Sequence, residues 1–156
     1  MYNQTLSPLY TDMTPVDQQF MKVPEIGQAG DCARAAIATL LDLPLIDVPH
    51  FLQEVLDGKT SEKGSLGFYG YIDDWLEDRG YIMQWQHNPI YHPVGTYCYI
   101  SGPSPNIVGG WHACVGQIQE DRTIKLLHDP HPLKKGLLEP ERWKFSFLVK
   151  HRRSVS

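Results

Sequence analysis

Over the second half of the chain, hydrophobic and polar positions alternate in short runs. Residues 81–86, 96–101, 111–119, 123–128 and 143–150 are rich in β-branched and aromatic side chains and bounded by Gly, Pro or Asn, which predicts strands. QIQEDRTIKLL holds two alternating runs around Glu120-Asp121-Arg122 and predicts a hairpin. The first half reads differently. Residues 33–41 are small and apolar nearly all round, the pattern of a buried helix. Gly27 and Gly30 punctuate the loop before it, Asp31 is its expected N-cap, and Pro44 forces its end. A second helix is predicted over about 48–56, capped by Asp47 and ended by Gly58, and a third over about 69–77, stopped at Gly80. Helices followed by an antiparallel sheet predict an α+β domain.

Length and composition narrow the class. With 156 residues the chain is about one domain, long enough for a core without staples. Residues 1–22, with Pro8 and Pro15, read as an N-terminal arm, 23–150 as one domain, and 151–156 as a tail. The net charge of −4 argues against nucleic acid as a partner, and the short KHRR stretch at 150–153 reads as solvated tail. No apolar run reaches membrane-spanning length, so no membrane partner is expected. Three cysteines and no export signal predict a reduced, cytoplasmic protein.

The chemistry starts at Cys32. It follows Asp31 onto the first turn of the buried helix, where free backbone N–H groups and the helix dipole favour thiolate. A small apolar side chain packed among Ala33, Ala35 and Ala36 is the alternative reading. His112 in GGWHACVGQ starts a strand behind Gly109 and Gly110, and Asp129 in KLLHDPHP ends the next strand. A turn at 120–122 places 111–113 opposite about 127–130, so His112 and Asp129 are expected as neighbours. Such a carboxylate orients an imidazole while its other nitrogen serves a thiol. The Cys32 N–H and the side chain of Gln28 are candidate donors to an oxyanion, and Gln28 reads equally as an ordinary loop residue. Substrate contact is expected at Asp31, Gly110 and Trp111 and along the Pro- and Gly-rich loop SGPSPNIVGG.

GDCARAAIATLLDLPLIDVPHF, WHACVG and LLHDPHP together resemble the papain-like cysteine peptidases. The resemblance is to their compact bacterial branch, with the double-glycine leader peptidases of bacteriocin exporters, and more closely to a group of small phage and bacterial proteins. It covers about residues 24–137. It implies a nucleophile helix packed on a C-terminal antiparallel sheet, with Cys32 as nucleophile, His112 as general base and acid, Asp129 as orienting residue and Gln28 as oxyanion donor. The interval from Gln28 to Cys32 is shorter than in the leader peptidases and papain. The implied activity is hydrolysis or acyl transfer at an amide, isopeptide or thioester bond, without cofactor, on a peptide or small amide or thioester.

Two other readings use the same residues. A non-catalytic module would keep the scaffold as a groove for a host or phage protein. A metal-binding protein would use His112, His128 and His131 with Cys114 and Asp129. Against a metal, His128 and Asp129 point to opposite faces of a strand and no C-x-x-C or H-E-x-x-H is present. Cys98 and Cys114 are expected as inert buried thiols, Trp75 as core, and His50, His87, His92 and His151 as surface.

Overall fold

The computed structural model describes residues 4–5, 13–60, 63, 67–86 and 91–150. Three helices precede the main sheet: α1 (Cys32–Leu41), α2 (Phe51–Leu56) and α3 (Gly67–Asp78). The strands are β1 (Gln4–Thr5), β2 (Tyr81–Gln86), β3 (Tyr97–Pro103), β4 (Trp111–Ile118), β5 (Ile124–His128) and β6 (Lys144–Lys150). All pairings are antiparallel, in the order β2-β6-β3-β4-β5, with the two residues of β1 added to β6. The fold is therefore α+β. The expected tail, residues 1–3 and 6–12 of the expected arm, His87 and His151 lie outside the described residues.

Both faces of the sheet are covered. α1 buries seven of its residues, Ile37 and Leu40 among them, against Tyr97, Tyr99, Ala113, Val115 and Leu148. Each such aliphatic side chain contributes about 1.5–3 kcal/mol on burial. The alternate residues Cys98, Ile100, Ile118, Phe147 and Val149 form a second cluster on the other face, under Leu137 and Trp143. This is the period-two alternation expected of strands buried on both sides. Trp75 packs edge-on against Phe51 at 5.6 Å. Among the described residues no single helix is long and apolar enough to cross a membrane.

Three local expectations are corrected. Asp31 does not cap α1: its carboxylate accepts from the Phe20 N–H at 2.7 Å and pairs with Arg34 at 3.3 Å. Asp47 does not cap α2, which starts later, at Phe51. His50 does so, its Nδ1 accepting from the Gln53 N–H at 3.3 Å. Nor are His50 and His92 surface groups. His50 stacks on Phe20 at 5.7 Å and donates from Nε2 to the Ala29 carbonyl, and His92 is buried on the Phe147 ring at 4.0 Å.

Where it is described, the arm is tied to the domain. The Val16 N–H donates to Thr39 Oγ1 on α1, while the Gln18 N–H donates to the Pro130 carbonyl at 3.0 Å. His128 Nε2 in turn donates to the Val16 carbonyl at 2.7 Å. Residues 13–20 thus join the helical layer to the end of the β4–β5 hairpin.

Candidate active site

The hairpin sets the distance between His112 and Asp129. β4 and β5 pair Ile118 with Ile124, Gln117 with Lys125 and Gly116 with Leu126, and then a bulge shifts Val115 onto His128. The bulge needs Gly116, because a Cβ there would lie 2.5 Å from Ile100 Cδ1 and 2.9 Å from the Lys125 carbonyl. The shift places Asp129 about one residue from the expected register. The contact forms nonetheless: His112 Nε2 lies 2.6 Å from Asp129 Oδ1.

The loop after β5 closes around that carboxylate. Oδ1 also accepts from the His131 N–H at 2.9 Å, and Oδ2 accepts from the Gly136 N–H at 2.8 Å. Lys134 holds the same loop by donating to the Asp129 carbonyl at 2.7 Å. Burial works against ionisation of Asp129, but the bonds from His112, His131 and Gly136 outweigh it and hold the carboxyl at about 2. For His112, burial alone would lower the pKa. The bond to Asp129, with the Cys114 and Cys32 thiols beside the ring, overrides that and raises it to about 12. The ring is an imidazolium at neutral pH, with Nε2 committed to Asp129 and Nδ1 left over.

Cys32 opens α1 and lines a cleft of about 670 Å³ together with His112. It is half-buried, whereas Cys98 and Cys114 are fully buried. Burial pushes the Cys98 thiol up well beyond its ordinary value, and that of Cys114 up to about 11 against the pull of His112. Of the three thiols only Cys32 combines access with an adjacent imidazole. Because no side chain caps α1, its first-turn N–H groups are not taken up by Asp31.

The structure separates the remaining candidates. Asp31 lines the cleft but is fully buried and spent on Phe20 and Arg34. Trp111 lines it and is 47% exposed. Gly110 does not line it. Its carbonyl accepts from the Ser104 N–H to close the preceding loop, and a Cβ there would strike Ile107 at 2.9 Å. Gln28 also lies off the cleft, its amide donating to the Met21 carbonyl at 2.6 Å. A different glutamine, Gln18, is buried behind the cleft-lining Gly30, although it does not itself line the cleft. Gln18 Nε2 donates to the Phe20 carbonyl at 2.8 Å and stands 3.5 Å from the place a Cβ of Gly30 would take. Gly30 lines the cleft. No spacing rule could have found Gln18, since the arm brings it in from fourteen positions upstream of Cys32.

The expected group of His112, His128 and His131 does not form. Among the described residues, the donor atoms that converge, within 4.8 Å, are those of His112, Cys114 and Asp129. Both Asp129 oxygens already accept hydrogen bonds within the loop and from His112. His128 is spent on Val16. The His131 ring stands edge-on to His112 at 6.1 Å, and burial and the His112 charge keep its pKa below the ordinary value. In comparisons with known proteins, the chain matches no family model, no curated protein and no solved structure.

Proposed function

We propose that the chain is a papain-like thiol hydrolase or acyl transferase acting on an amide, isopeptide or thioester bond. The observation that carries this reading is the convergence of Cys32 and the Asp129-bound His112 on one cleft wall. Cys32 is the nucleophile, His112 the proton carrier and Asp129 the group that holds the ring. In the first half-reaction the Cys32 thiolate attacks the carbonyl carbon. The negative charge that develops on oxygen is met by the first-turn N–H groups of α1, with the second amide hydrogen of Gln18 in reserve beside Gly30. His112 gives its Nδ1 proton to the leaving nitrogen or sulfur as the carbon–heteroatom bond breaks, which leaves a thioester on Cys32. In the second, neutral His112 takes a proton from water or an acceptor nucleophile. The new bond to the carbonyl forms, the thioester breaks, and Cys32 leaves as thiolate beside the restored imidazolium.

p-Nitrophenyl acetate tests this directly, because an activated ester needs no specific recognition. A burst of nitrophenolate and an acetyl adduct on Cys32 in the intact-mass spectrum are expected, and both vanish in Cys32→Ala. An undiminished burst in that variant overturns the reading. If Cys32→Ala also retains the biological effect of the protein, the groove binds a partner and does not catalyse.

A further inference from the structure

Beyond the nucleophile, the cleft has a shape and a charge of its own. Its volume falls within the range of sites for small molecules. One wall is built from three rings set edge to face. Tyr69 and Trp85 lie 5.2 Å apart at 90°, and Trp85 and Tyr99 lie 5.9 Å apart at 87°. Tyr99 is fully buried, but Trp85 is 42% exposed. Phe68 and Phe145 extend the aromatic lining. At its buried end Tyr69 Oη and Tyr99 Oη are 3.1 Å apart, and burial keeps both phenols protonated. A flat apolar group fits such a wall, edge against face.

The charges in the cleft do not cancel. Its fixed charged side chains are Asp31, Arg34 and Lys144. Asp31 and Arg34 neutralise each other at 3.3 Å, and Arg34 Nε also donates to the Val48 carbonyl. Lys144 pairs with no carboxylate among the described residues. It is exposed on β6 directly opposite Ser101, with Nζ 5.8 Å from the centre of the Trp111 ring. Arg142 covers the same ring at 5.3 Å but is paired with Glu139. Because Asp129 matches the His112 charge at 2.6 Å, Lys144 is the unbalanced charge of the cleft and makes it electropositive at one side of an aromatic box.

We propose that the substrate is a ring-bearing amide or thioester with one negative charge, the ring against Tyr69, Trp85 and Tyr99 and the anion at Lys144. This rests on the thiol-hydrolase reading above for the bond that is cleaved, but the recognition it describes does not depend on Cys32. The test therefore uses Cys32→Ala protein, which consumes nothing, and calorimetric titration with three probes. N-succinyl-phenylalaninamide carries ring and charge, N-acetyl-phenylalaninamide the ring alone, and N-succinyl-glycinamide the charge alone. The first is expected to bind at least about tenfold more tightly than either of the others, as one charge-assisted contact or one buried ring supplies that much. Lys144→Ala removes the preference over the acetyl probe, and Lys144→Glu, a surface change, reverses it. Trp85→Ala removes the preference over the glycinamide.

Equal affinities, no binding of any probe, or a charge preference that survives Lys144→Glu overturns the inference. Probe preference without acylation of Cys32 by p-nitrophenyl acetate overturns the hydrolase reading alone. Acylation without probe preference overturns the substrate class alone.

Discussion

His112 Nε2 and Asp129 Oδ1 meet at 2.6 Å although 17 residues separate them along the chain. The bond fixes which ring nitrogen remains for Cys32, namely Nδ1, and it keeps the ring protonated where an isolated histidine would be neutral. Both partners are buried, at 6% and 4% exposure, so the pair is an element of the fold as well as of the site.

Replacement of His112 by Ala is expected to slow alkylation of Cys32 by iodoacetamide by at least about tenfold, because an imidazolium beside a thiol favours its reactive, ionised form. Cys98 and Cys114 stay protected in both proteins, being fully buried. Site-resolved mass spectrometry after timed quenching gives the three rates. An unchanged rate at Cys32 would show that the imidazole does not act on it.

Asp129→Asn leaves a buried imidazole without its anion, a loss of about 3 kcal/mol by the scale of broken buried pairs. Its size should depend on pH. The depressed Asp129 stabilises the wild type fully above about 4 and loses that effect as pH falls through about 2. The raised His112 stabilises it fully below about 6.5 and progressively less as pH climbs toward about 12. The deficit of the variant is therefore greatest between about pH 4 and 6.5 and shrinks on both sides. Urea unfolding at a series of pH values measures it, and a pH-independent deficit would contradict the pair.

Asp31 distinguishes a cap from a tie. Serine caps a helix about as well as aspartate, but it cannot replace a carboxylate shared by the Phe20 N–H and Arg34. Asp31→Ser is expected to be nearly as damaging as Asp31→Ala, by about 3 kcal/mol, and both should speed proteolytic cleavage within residues 13–22. Full rescue by serine in thermal melts would restore the capping role.

At Gly116 a methyl group has nowhere to go, with Ile100 Cδ1 at 2.5 Å, Ile124 Cγ2 at 2.8 Å and the Lys125 carbonyl at 2.9 Å. Gly116→Ala is expected to cost about 2 kcal/mol. Because the bulge beside it sets the height of Asp129, the Cys32 alkylation rate should fall with it. A variant as stable and as reactive as the wild type would show that the register does not depend on this position.

The two glutamines give a direct comparison. Gln18→Ala should reduce the nitrophenolate burst by about a hundredfold or more, the scale of a lost oxyanion donor. Gln28→Ala should leave it unchanged, since Gln28 lies off the cleft, whereas Gln18 Nε2 stands beside the cleft-lining Gly30. Equal effects would remove Gln18 from the site.

Strand positions and the nearness of His112 to Asp129 were legible because both follow from local rules. Alternation marks the strands, and a hairpin turn fixes what stands opposite what. Gly116 even carried a visible signal, a lone glycine within a strand pattern, although the bulge it permits was not anticipated. What remained hidden depends on partners far along the chain. Asp31 sits where a cap belongs, yet a backbone N–H eleven residues earlier and Arg34 compete for the carboxylate and win. His50 looked like a surface group because nothing nearby in sequence announces Phe20 or the Ala29 carbonyl. Gln18 and Gln28 differ only in what the arm packs against, and no local pattern encodes that.

The strap formed by residues 13–20 has a consequence for the timing of synthesis. Its hydrogen bonds to Thr39 can form early, but those to Pro130 and His128 link positions up to 112 residues apart. Contacts of such long range form late and slowly. During translation the cysteine at the head of α1 emerges long before His112, Asp129 and the loop through Gly136 that clasps the carboxylate. The residues that line the cleft with Cys32, Lys144 and Phe145 among them, therefore come together only when the last fifth of the protein has left the ribosome and been tied back to its beginning.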